Sequence, residues 1–310
     1  MKIAFASSSP VGIPIFNALL STQHEILYVL TNPDKPTGRG QSFTANRFAE
    51  HARSLALQIF KPTDEVEIVE ILRAKPVDAV LTVAYGQLIK ESALHLPPYG
   101  WLNIHFSKLP AWRGAAPVQY AILHGQTQTG VSIFRLEAGM DTGPVFESWT
   151  TPIENSDTTE SLLKKLSEES SLKVGRILDS IEAGQQPSEQ NSTGISYAPK
   201  IKKEMGKISA QDSRVNAMAK IRALGENPGT YVTFRGQRLG IISAQLSYAH
   251  LEEPALTAPT GTLVAGKNEL LLSFADGFLR LERVLPQGKK PMSGADFARG
   301  ARLAPGELCE

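Results

Sequence analysis

The chain has little cysteine and no long apolar run. One cysteine, Cys309, occurs among 310 residues, so no disulfide can form within the chain and no cysteine cluster can bind zinc. This usage is typical of a reducing cytoplasm, which is the localisation that we expect. No run approaches the roughly 18 consecutive apolar residues that a membrane span requires, and we expect no membrane partner. Serines and prolines interrupt the apolar start of the chain, which favours an N-terminal strand and turn over a signal peptide.

Two sequence motifs, one typical of dinucleotide binding and one typical of zinc binding, are also absent. The segment after the first apolar run is SSSPVGIP. It lacks G-x-G-x-x-G, whose glycines let a backbone approach a pyrophosphate, and this argues against NAD or FAD. The six histidines show no H-x-x-x-H or comparable spacing, whereas zinc sites usually need three protein ligands. We therefore expect no bound metal.

Charge is distributed unevenly along a chain that is long enough for two domains. Residues 200–310 carry a net charge of +5, and residues 1–199 carry −4. A basic C-terminal third suits a polyanionic partner. A chance surplus of solvated lysines would give the same count.

The first part of the chain alternates apolar runs with amphipathic segments. This alternation predicts an α/β domain with a Rossmann-like, mostly parallel sheet. The predicted strands are 2–7, 25–32, 57–62, 78–85 and 100–106, and the predicted helices are 13–21, 46–55, 64–76 and 116–125. Two further runs, 129–138 and 143–153, predict a hairpin around GMDTG, followed by a long helix over 157–184.

The remaining chain predicts a second, smaller domain. Residues 187–207 are polar and lack periodicity, which indicates a linker. A predicted helix at 212–224 precedes short apolar runs separated by Gly, Asn and Pro, which are typical of an OB-like β-barrel. We expect an α/β catalytic domain over 1–186 and a β-barrel domain over 208–310.

Asn103 and His105 stand two positions apart on a predicted strand. Residues at i and i+2 share a face of a strand, and this face ends at the edge where open parallel sheets bind ligands. The pair therefore faces a cleft, or it forms a core pair bonded to itself and the backbone. Asp141, between two glycines, adds a third polar group; alone it would indicate only a turn.

These three side chains suit transfer to an amine that a substrate supplies, because no Ser or Cys nucleophile accompanies them. The amide of Asn103 can donate to an oxyanion, an interaction worth about 3–4 kcal/mol. His105 can donate a second hydrogen bond or move a proton. A nearby Asp141 would hold the imidazole in one tautomer and favour its charged form.

The motifs together resemble a known family. NIHFSKLPAWRGAAPVQ followed by GVSIFRLEAGMDTGPV is similar to the formyltransferase family that uses 10-formyltetrahydrofolate. The resemblance covers nearly the whole chain and includes VAYGQLI, YAPKIKKE and QGKKPMSGADFARG. It implies the formyltransferase fold and a folate cosubstrate. The GKKPMS segment implies a member that formylates methionine on initiator tRNA for translation initiation, and we expect a monomer.

The resemblance also implies roles for individual residues. Asn103, His105 and Asp141 match the catalytic trio of the family. The implied folate-site residues are Ser107, Lys108, Leu109, Pro110, Gln87 and Leu88, with Lys108 in place of the usual Leu. The loop from Pro33 to Ala45 resembles an arm that enters the tRNA acceptor stem.

Basic residues are implied to contact tRNA. In the arm these are Lys35 and Arg39, and in the C-terminal part they are Lys202, Lys203, Lys207 and Lys289, accompanied by Lys200, Arg222, Arg235, Arg238 and Lys290. KISAQDS and LGENPGT depart from the pattern of the family, which has aromatic residues near both positions.

Three other functions compete with this interpretation. A sugar-nucleotide amine could be the acceptor, water could replace the amine in a 10-formyltetrahydrofolate hydrolase, or the chain could be a non-catalytic RNA-binding module. The basic C-terminal domain and GKKPMS argue against the first two. The complete Asn/His/Asp trio argues against the third.

Overall fold

The computed structural model describes residues 1–37, 42–209, 211–247 and 258–309. The chain divides into two compact units. The first unit comprises Met1–Pro117, Gln128–Pro152 and Ser161–Pro199, and the second comprises Val118–Thr127, Ile153–Glu160 and Lys200–Glu310. No helix within the described ranges is long and apolar enough to cross a membrane.

A seven-stranded mixed sheet forms the centre of the first unit. The strands up to residue 152 are β1 (Lys2–Ser7), β2 (Glu25–Leu30), β3 (Lys35–Thr37), β4 (Ser42–Thr44), β5 (Ile59–Phe60), β6 (Ala79–Val83), β7 (Trp101–His105), β8 (Gln128–Arg135) and β9 (Val145–Pro152). The order in the sheet is β5-β2-β1-β6-β7-β8-β9. The first four pairings are parallel, and β8 pairs antiparallel with both β7 and β9. The expectation of a mostly parallel, Rossmann-like sheet is confirmed.

Continuous burial explains why β1 and β6 lie in the middle of this sheet. All five residues of β6 and the last five of β1 are buried, as expected for strands covered on both faces. Because β6 and β7 are parallel, their C-terminal ends lie at the same sheet edge. The segments that follow Val83 and His105 therefore meet there.

The described residues up to Glu182 contain six α-helices. They are α1 (Ile13–Leu19), α2 (Arg47–Ser54), α3 (Glu65–Ala74), α4 (Glu91–Leu94), α5 (Pro117–Leu123) and α6 (Thr159–Glu182). The side chains of Asn46 and Asp64 accept hydrogen bonds from Ala49 N and Glu67 N, which fixes the starts of α2 and α3.

The predicted loop from Pro33 to Ala45 contains two short strands. β3 and β4 pair antiparallel, with Lys35 opposite Thr44. Every residue of β4 is exposed, so neither face of the hairpin requires apolar residues. The alternation that normally predicts a strand is absent for that reason. Residues 38–41, which include Arg39, lie outside the described residues.

An antiparallel sheet forms the centre of the second unit. The strands and helices after residue 213 are α7 (Arg214–Leu224), β10 (Thr230–Phe234), β11 (Gln237–Ser247), β12 (Leu263–Ala265), β13 (Leu270–Phe274), β14 (Gly277–Pro286), β15 (Met292–Ser293) and α8 (Gly294–Ala301). The order is β10-β11-β14-β13-β12, with β15 paired to β14. The sheet forms a half-barrel, which confirms the predicted class of the smaller domain.

The last residues of the chain connect the two edges of this sheet. Cys309 forms a bridge with Phe234 in β10, and Leu308 forms one with Thr262 next to β12. Cys309 N donates to Gly261 O at 2.7 Å. The Cys309 side chain is buried with the apolar core of the unit, so the thiol packs as a small hydrophobic group.

Burial of Cys309 predicts an unreactive thiol. Removal from water raises the pKa of this thiol to about 12, and the charge of Glu307 acts in the same direction. At about pH 8 little thiolate exists in the folded chain, whereas an ordinary cysteine is partly ionised. We expect Ellman's reagent to react at least about 100-fold more slowly with the native protein than with the protein unfolded in guanidinium chloride. Equal rates in the two states would contradict the buried position.

Candidate functional site

Strand β7 presents two polar side chains on one face. Asn103 is half-buried and pairs with Thr82 of β6 and Phe134 of β8. His105 ends the strand and is 6% exposed. Their spacing of two places both on the same side of the sheet, as the sequence predicts.

The His105 ring lies between a carbonyl and a carboxylate. Nε2 lies 2.9 Å from Trp112 O, and Nδ1 lies 3.7 Å from Asp141 Oδ2. A carbonyl oxygen only accepts, so this hydrogen bond requires the proton on Nε2 and leaves Nδ1 with a lone pair in the neutral ring. In the neutral ring this lone pair therefore faces the Asp141 carboxylate.

Asp141 reaches His105 because the segment between β8 and β9 folds back across β7. Arg135, the last residue of β8, pairs with Leu102, and Leu136 N donates to Trp101 O at 2.7 Å. The segment thus leaves the sheet at the opposite end of β7 from His105. It must return over the face that carries Asn103 and His105.

Local geometry fixes the turn that carries Asp141. Asp141 has a φ of +51°, in the left-handed region that Asp tolerates better than most residues. A Cβ on Gly143 would lie 1.8 Å from Arg135 O, so this position requires glycine. Gly114 N donates to Asp141 Oδ2 at 2.7 Å and holds the carboxylate on the side of His105.

Two residues at this turn had no predicted role. Gln190 Nε2 donates to Asp141 O and Gly143 O, both at 2.8 Å. Arg113 donates to Gln190 Oε1 from Nη2 at 2.7 Å and from Nε at 3.3 Å. The sequence pattern predicts a linker at Gln190, because a polar segment without periodicity gives no local signal for contacts with distant residues. The R-G-A-A-P motif was the available hint for Arg113.

The amide of Asn103 has no hydrogen-bond partner among the residues that the structure describes. It is half-buried rather than sealed in the core. An amide in that position keeps two N–H donors for a ligand. This favours the cleft interpretation of the Asn103/His105 pair over the core interpretation.

The run from Ser107 to Pro110 is separated from the end of β7 by one residue and is held by short hydrogen bonds. Ser132 Oγ donates to Ser107 O at 2.9 Å and accepts from Leu109 N at 3.0 Å. Ser107 Oγ donates to Ala111 O at 2.6 Å. Lys108 is exposed, and its Nζ donates to Thr150 Oγ1 at 3.3 Å.

Gln87 and Leu88 follow β6, so they share a sheet edge with His105. Gln87 Nε2 donates to Pro62 O at 2.9 Å, whereas the Leu88 side chain is 79% exposed. Asn32 Nδ2 donates to Tyr85 O at 2.9 Å and fixes the start of this segment. Whether these residues and the 107–110 run contact folate stays a prediction.

The predicted tRNA contacts are exposed cations. Lys35 is exposed in β3, and Lys202, Lys203, Lys207 and Lys289 are exposed in the second unit. Within the described ranges, no carboxylate lies within ion-pair distance of these five lysines. Contact with RNA stays a prediction for them and for Arg39, which lies outside the described residues.

All three accompanying arginines have protein partners, and Arg238 Nη2 donates to Pro228 O at 3.2 Å. Arg222 Nη1 donates to Asp157 O at 3.0 Å. Burial lowers the pKa of its guanidinium, while Asp157 acts in the opposite direction. Arg235 forms two hydrogen bonds with the Glu307 carboxylate, each of 2.8 Å.

One cluster with the composition of a metal site lies away from these residues. His24, Asp179 and Glu182 place ligand atoms within 4.8 Å of one another. His24 immediately precedes β2, at the N-terminal edge of the parallel strands, whereas His105 lies at the C-terminal edge. The expectation of no bound metal stays a prediction.

Family models match both parts of the chain. Residues 1–175 match the model described as formyl transferase, and residues 200–302 match the model described as formyl transferase, C-terminal domain.

The chain belongs to the formyl transferase family.

Its relatives include a protein of Thermobifida fusca (strain YX) named methionyl-tRNA formyltransferase. The two are 39% identical over 310 residues, which cover 99% of this chain and 98% of the relative. This similarity extends through both units of the formyl transferase.

Solved structures share the fold. HypX from Aquifex aeolicus in complex with tetrahydrofolic acid matches with a TM-score of 0.68 at 17% identity, over 96% of this chain and 47% of HypX. This formyl transferase thus spans about half of the HypX chain. Methionyl-tRNA formyltransferase from Clostridium thermocellum matches with a TM-score of 0.55 at 18% identity, over 80% of this chain and 94% of that chain. At these identities the likeness shows the fold alone.

Ser132 provides a test of the site geometry. Replacing it with Ala leaves the buried Ser107 carbonyl and Leu109 N–H without their hydrogen-bond partner. We expect Ser132→Ala to lower the free energy of unfolding by about 2 kcal/mol or more, measured by urea denaturation. Ser54 is exposed and, among the described residues, its side chain bonds only to His51 O. Ser54→Ala should therefore change stability by less than about 0.5 kcal/mol. Equal effects of the two substitutions would contradict the described hydrogen bonds.

Proposed function

We propose that this protein transfers the formyl group of 10-formyltetrahydrofolate to the α-amino group of methionine esterified to initiator tRNA. The name of the Thermobifida fusca relative, together with similarity over almost the full length, supports this acceptor. Tetrahydrofolic acid in the HypX complex supports a folate cosubstrate. We further propose a cytoplasmic monomer with a catalytic domain over 1–186, a linker over 187–207 and a tRNA-binding domain over 208–310.

One observation carries the proposal. The Nδ1 atom of His105 faces Asp141 at 3.7 Å, while the Asn103 amide on the same strand face has no partner among the described residues. The site therefore offers a proton acceptor beside an anion and a hydrogen-bond donor for a developing oxyanion. Formyl transfer to an amine requires both.

Each step of the transfer uses one of these groups. The neutral amine attacks the formyl carbon, a C–N bond forms, and the carbonyl electrons move to oxygen. Asn103 donates a hydrogen bond to that oxyanion. His105 takes the proton from the new ammonium at Nδ1, and Asp141 stabilises the imidazolium. The oxyanion then re-forms the carbonyl as the bond to folate N10 breaks, and N10 receives the proton from His105.

The folate would lie at the edge shared by β6 and β7. The backbone of 107–110 presents ordered groups there because Ser132 holds Leu109 and Ser107. The exposed side chain of Leu88 offers an apolar surface for a pterin ring. The Lys108 side chain extends towards Thr150, which leaves its backbone as the part available to folate.

The tRNA would contact the exposed lysines through its phosphates. Lys35 and Arg39 would act from the arm, and Lys202, Lys203, Lys207 and Lys289 from the second unit. A pocket of about 680 Å³ in that unit is lined by Arg238, Lys289 and Glu226 together with apolar residues such as Ile241. The guanidinium of Arg238 lies over the Tyr231 ring at 4.1 Å.

A formyl-transfer assay with charged initiator tRNA and 10-formyltetrahydrofolate tests the proposal. We expect N-formylmethionyl-tRNA as product. Transfer to an amino-sugar nucleotide would show that the acceptor is a sugar-nucleotide amine. Release of formate without an amine acceptor would show that the protein is a 10-formyltetrahydrofolate hydrolase. Binding of tRNA without any transfer would indicate a non-catalytic module.

Substitution of the trio tests the mechanism. We expect Asn103→Ala, His105→Ala and Asp141→Ala each to lower kcat by at least about 100-fold, because each removes a group that acts on charge or protons in the transition state. Circular dichroism should show an intact fold. The exposed His95 provides a matched control, and His95→Ala should retain kcat within about twofold. Near-normal rates for the trio variants would disprove the assigned roles.

Lysine substitutions test the RNA contacts. We expect alanine at Lys202, Lys203, Lys207 or Lys289 to reduce the slope of log affinity against log salt concentration by about 0.7–0.9 for each lost contact. Filter binding of charged initiator tRNA at several salt concentrations measures this slope. Lys267→Ala, at an exposed position in the same unit, should leave it unchanged. A slope that is insensitive to all four substitutions would place the RNA elsewhere.

A further inference from the structure

We propose that Gln190 is a positioning residue for formyl transfer, which holds Asp141 against His105 through the backbone of its turn. The inference rests on the proposed function and assigns a catalytic effect to a residue within the predicted linker. Gln190 contacts no reacting atom in this arrangement. It acts through Asp141.

Both N–H groups of the Gln190 side chain donate hydrogen bonds to this turn. Its two N–H groups match the two carbonyl oxygens of Asp141 and Gly143, each at 2.8 Å. These carbonyls stand on either side of Thr142. A single rigid side-chain amide therefore fixes the separation and direction of two peptide groups at once.

The turn needs such support for two reasons. Asp141 has a φ of +51°, and a non-glycine residue in the left-handed region is disfavoured unless its surroundings hold it there. The segment also crosses the face of β7 far from where it leaves β8, and its Met140 side chain is 65% exposed. Apolar packing around Met140 contributes little to its position.

Arg113 anchors Gln190 from the other side. Its side chain is 8% exposed, and in the described parts of the chain no carboxylate pairs with it. Both hydrogen bonds from its guanidinium go to Gln190 Oε1. A buried guanidinium that donates to a neutral amide orients that amide so that its N–H groups point at the turn.

The same two segments also hold the carboxylate. Arg113 N donates to Ser196 O at 2.9 Å, and Ala198 N donates to Arg113 O at 2.8 Å. The next residue, Gly114, donates to Asp141 Oδ2. The 190–198 segment thus fixes both the backbone of Asp141, through Gln190, and its carboxylate, through the loop of Gly114.

The competing explanation is that Gln190 only fastens the 187–199 segment to the first unit. The two explanations differ in whether the Nε2 donors of Gln190 are needed, or only a contact between its Oε1 acceptor and Arg113. Gln190→Glu keeps oxygen acceptors for Arg113 and loses both N–H donors. Gln190→Leu loses both the oxygen acceptor and the N–H donors. Positioning predicts a lower kcat in both variants, whereas fastening predicts a defect in Gln190→Leu only.

Steady-state kinetics well below the melting temperature separate the two explanations. We expect kcat to fall about 10- to 100-fold in Gln190→Glu and Gln190→Leu, because displacement of a catalytic group by about 1 Å has effects of that size. The KM for folate and for the acceptor should stay within about twofold, because Gln190 contacts neither. A normal kcat in Gln190→Glu would overturn the proposal.

Gln185 supplies a matched control. It is half-buried shortly before Gln190 in the chain, and its Nε2 donates to Phe146 O at 2.8 Å. Gln185→Leu removes a hydrogen bond between β9 and the part of the chain that follows α6, but it leaves the Asp141 turn untouched. We expect a smaller loss of thermal stability than in Gln190→Leu, because one hydrogen bond rather than four is removed, and we expect kcat to be unchanged. An equal loss of kcat in both variants would indicate general loosening and overturn the proposal.

A double-mutant cycle tests the route through Asp141. Asn tolerates the left-handed region, so Asp141→Asn removes the charge and retains the turn. In that background, Gln190→Leu should lower kcat by less than about twofold further, since the carboxylate that it positions is gone. An undiminished effect would show that Gln190 acts on something else.

Failure of the proposed acceptor is distinguishable from failure of this inference. If the wild-type protein formylates a different amine, the same kinetic comparison is made with that amine. If it transfers formyl to no amine, crystal structures of the wild-type protein and Gln190→Leu give the answer directly. We expect the distance from His105 Nδ1 to Asp141 Oδ2 to grow by about 1 Å or more in the variant, and an unchanged distance would overturn the inference.

Discussion

The approach of Asp141 to His105 is the interaction on which the whole site depends. The two groups come from elements that the sheet itself would keep apart, because the β8–β9 segment leaves the sheet beside Trp101 rather than beside His105. Without the carboxylate, a proton on Nδ1 of a ring that is 6% exposed would lack a compensating charge. The proposed chemistry thus requires that a surface segment be held over a strand face. The loop after β7 and the segment after α6 supply that restraint.

Sequence reasoning succeeded where a local rule applied. Asn103 and His105 share a face because side chains alternate along any strand. The mostly parallel sheet followed from alternating strands and helices. The pairing of β8 with β9 followed from two apolar runs around a glycine-rich turn. Each inference used residues that are near one another in the chain.

Long-range contacts were out of reach for the same reason. The contact between Gln190 and Arg113 joins residues that are 77 positions apart, and a polar segment without periodicity is also what a free linker looks like. The β3–β4 hairpin escaped prediction because its exposed strands have no face to bury. The path of the β8–β9 segment depends on hydrogen bonds from Gly114 and Gln190, which no sequence period encodes.

The net charge of the C-terminal part also does not predict which of its cations are free to contact RNA. Of the cations in the second unit, Arg222 donates to backbone carbonyls and Arg235 pairs with Glu307, so they serve the protein itself. The lysines at 202, 203, 207 and 289 have no carboxylate partner in the described parts of the chain. A surface carried by flexible lysines favours contact with phosphates in general, and discrimination between tRNAs must then come from groups that read shape or bases.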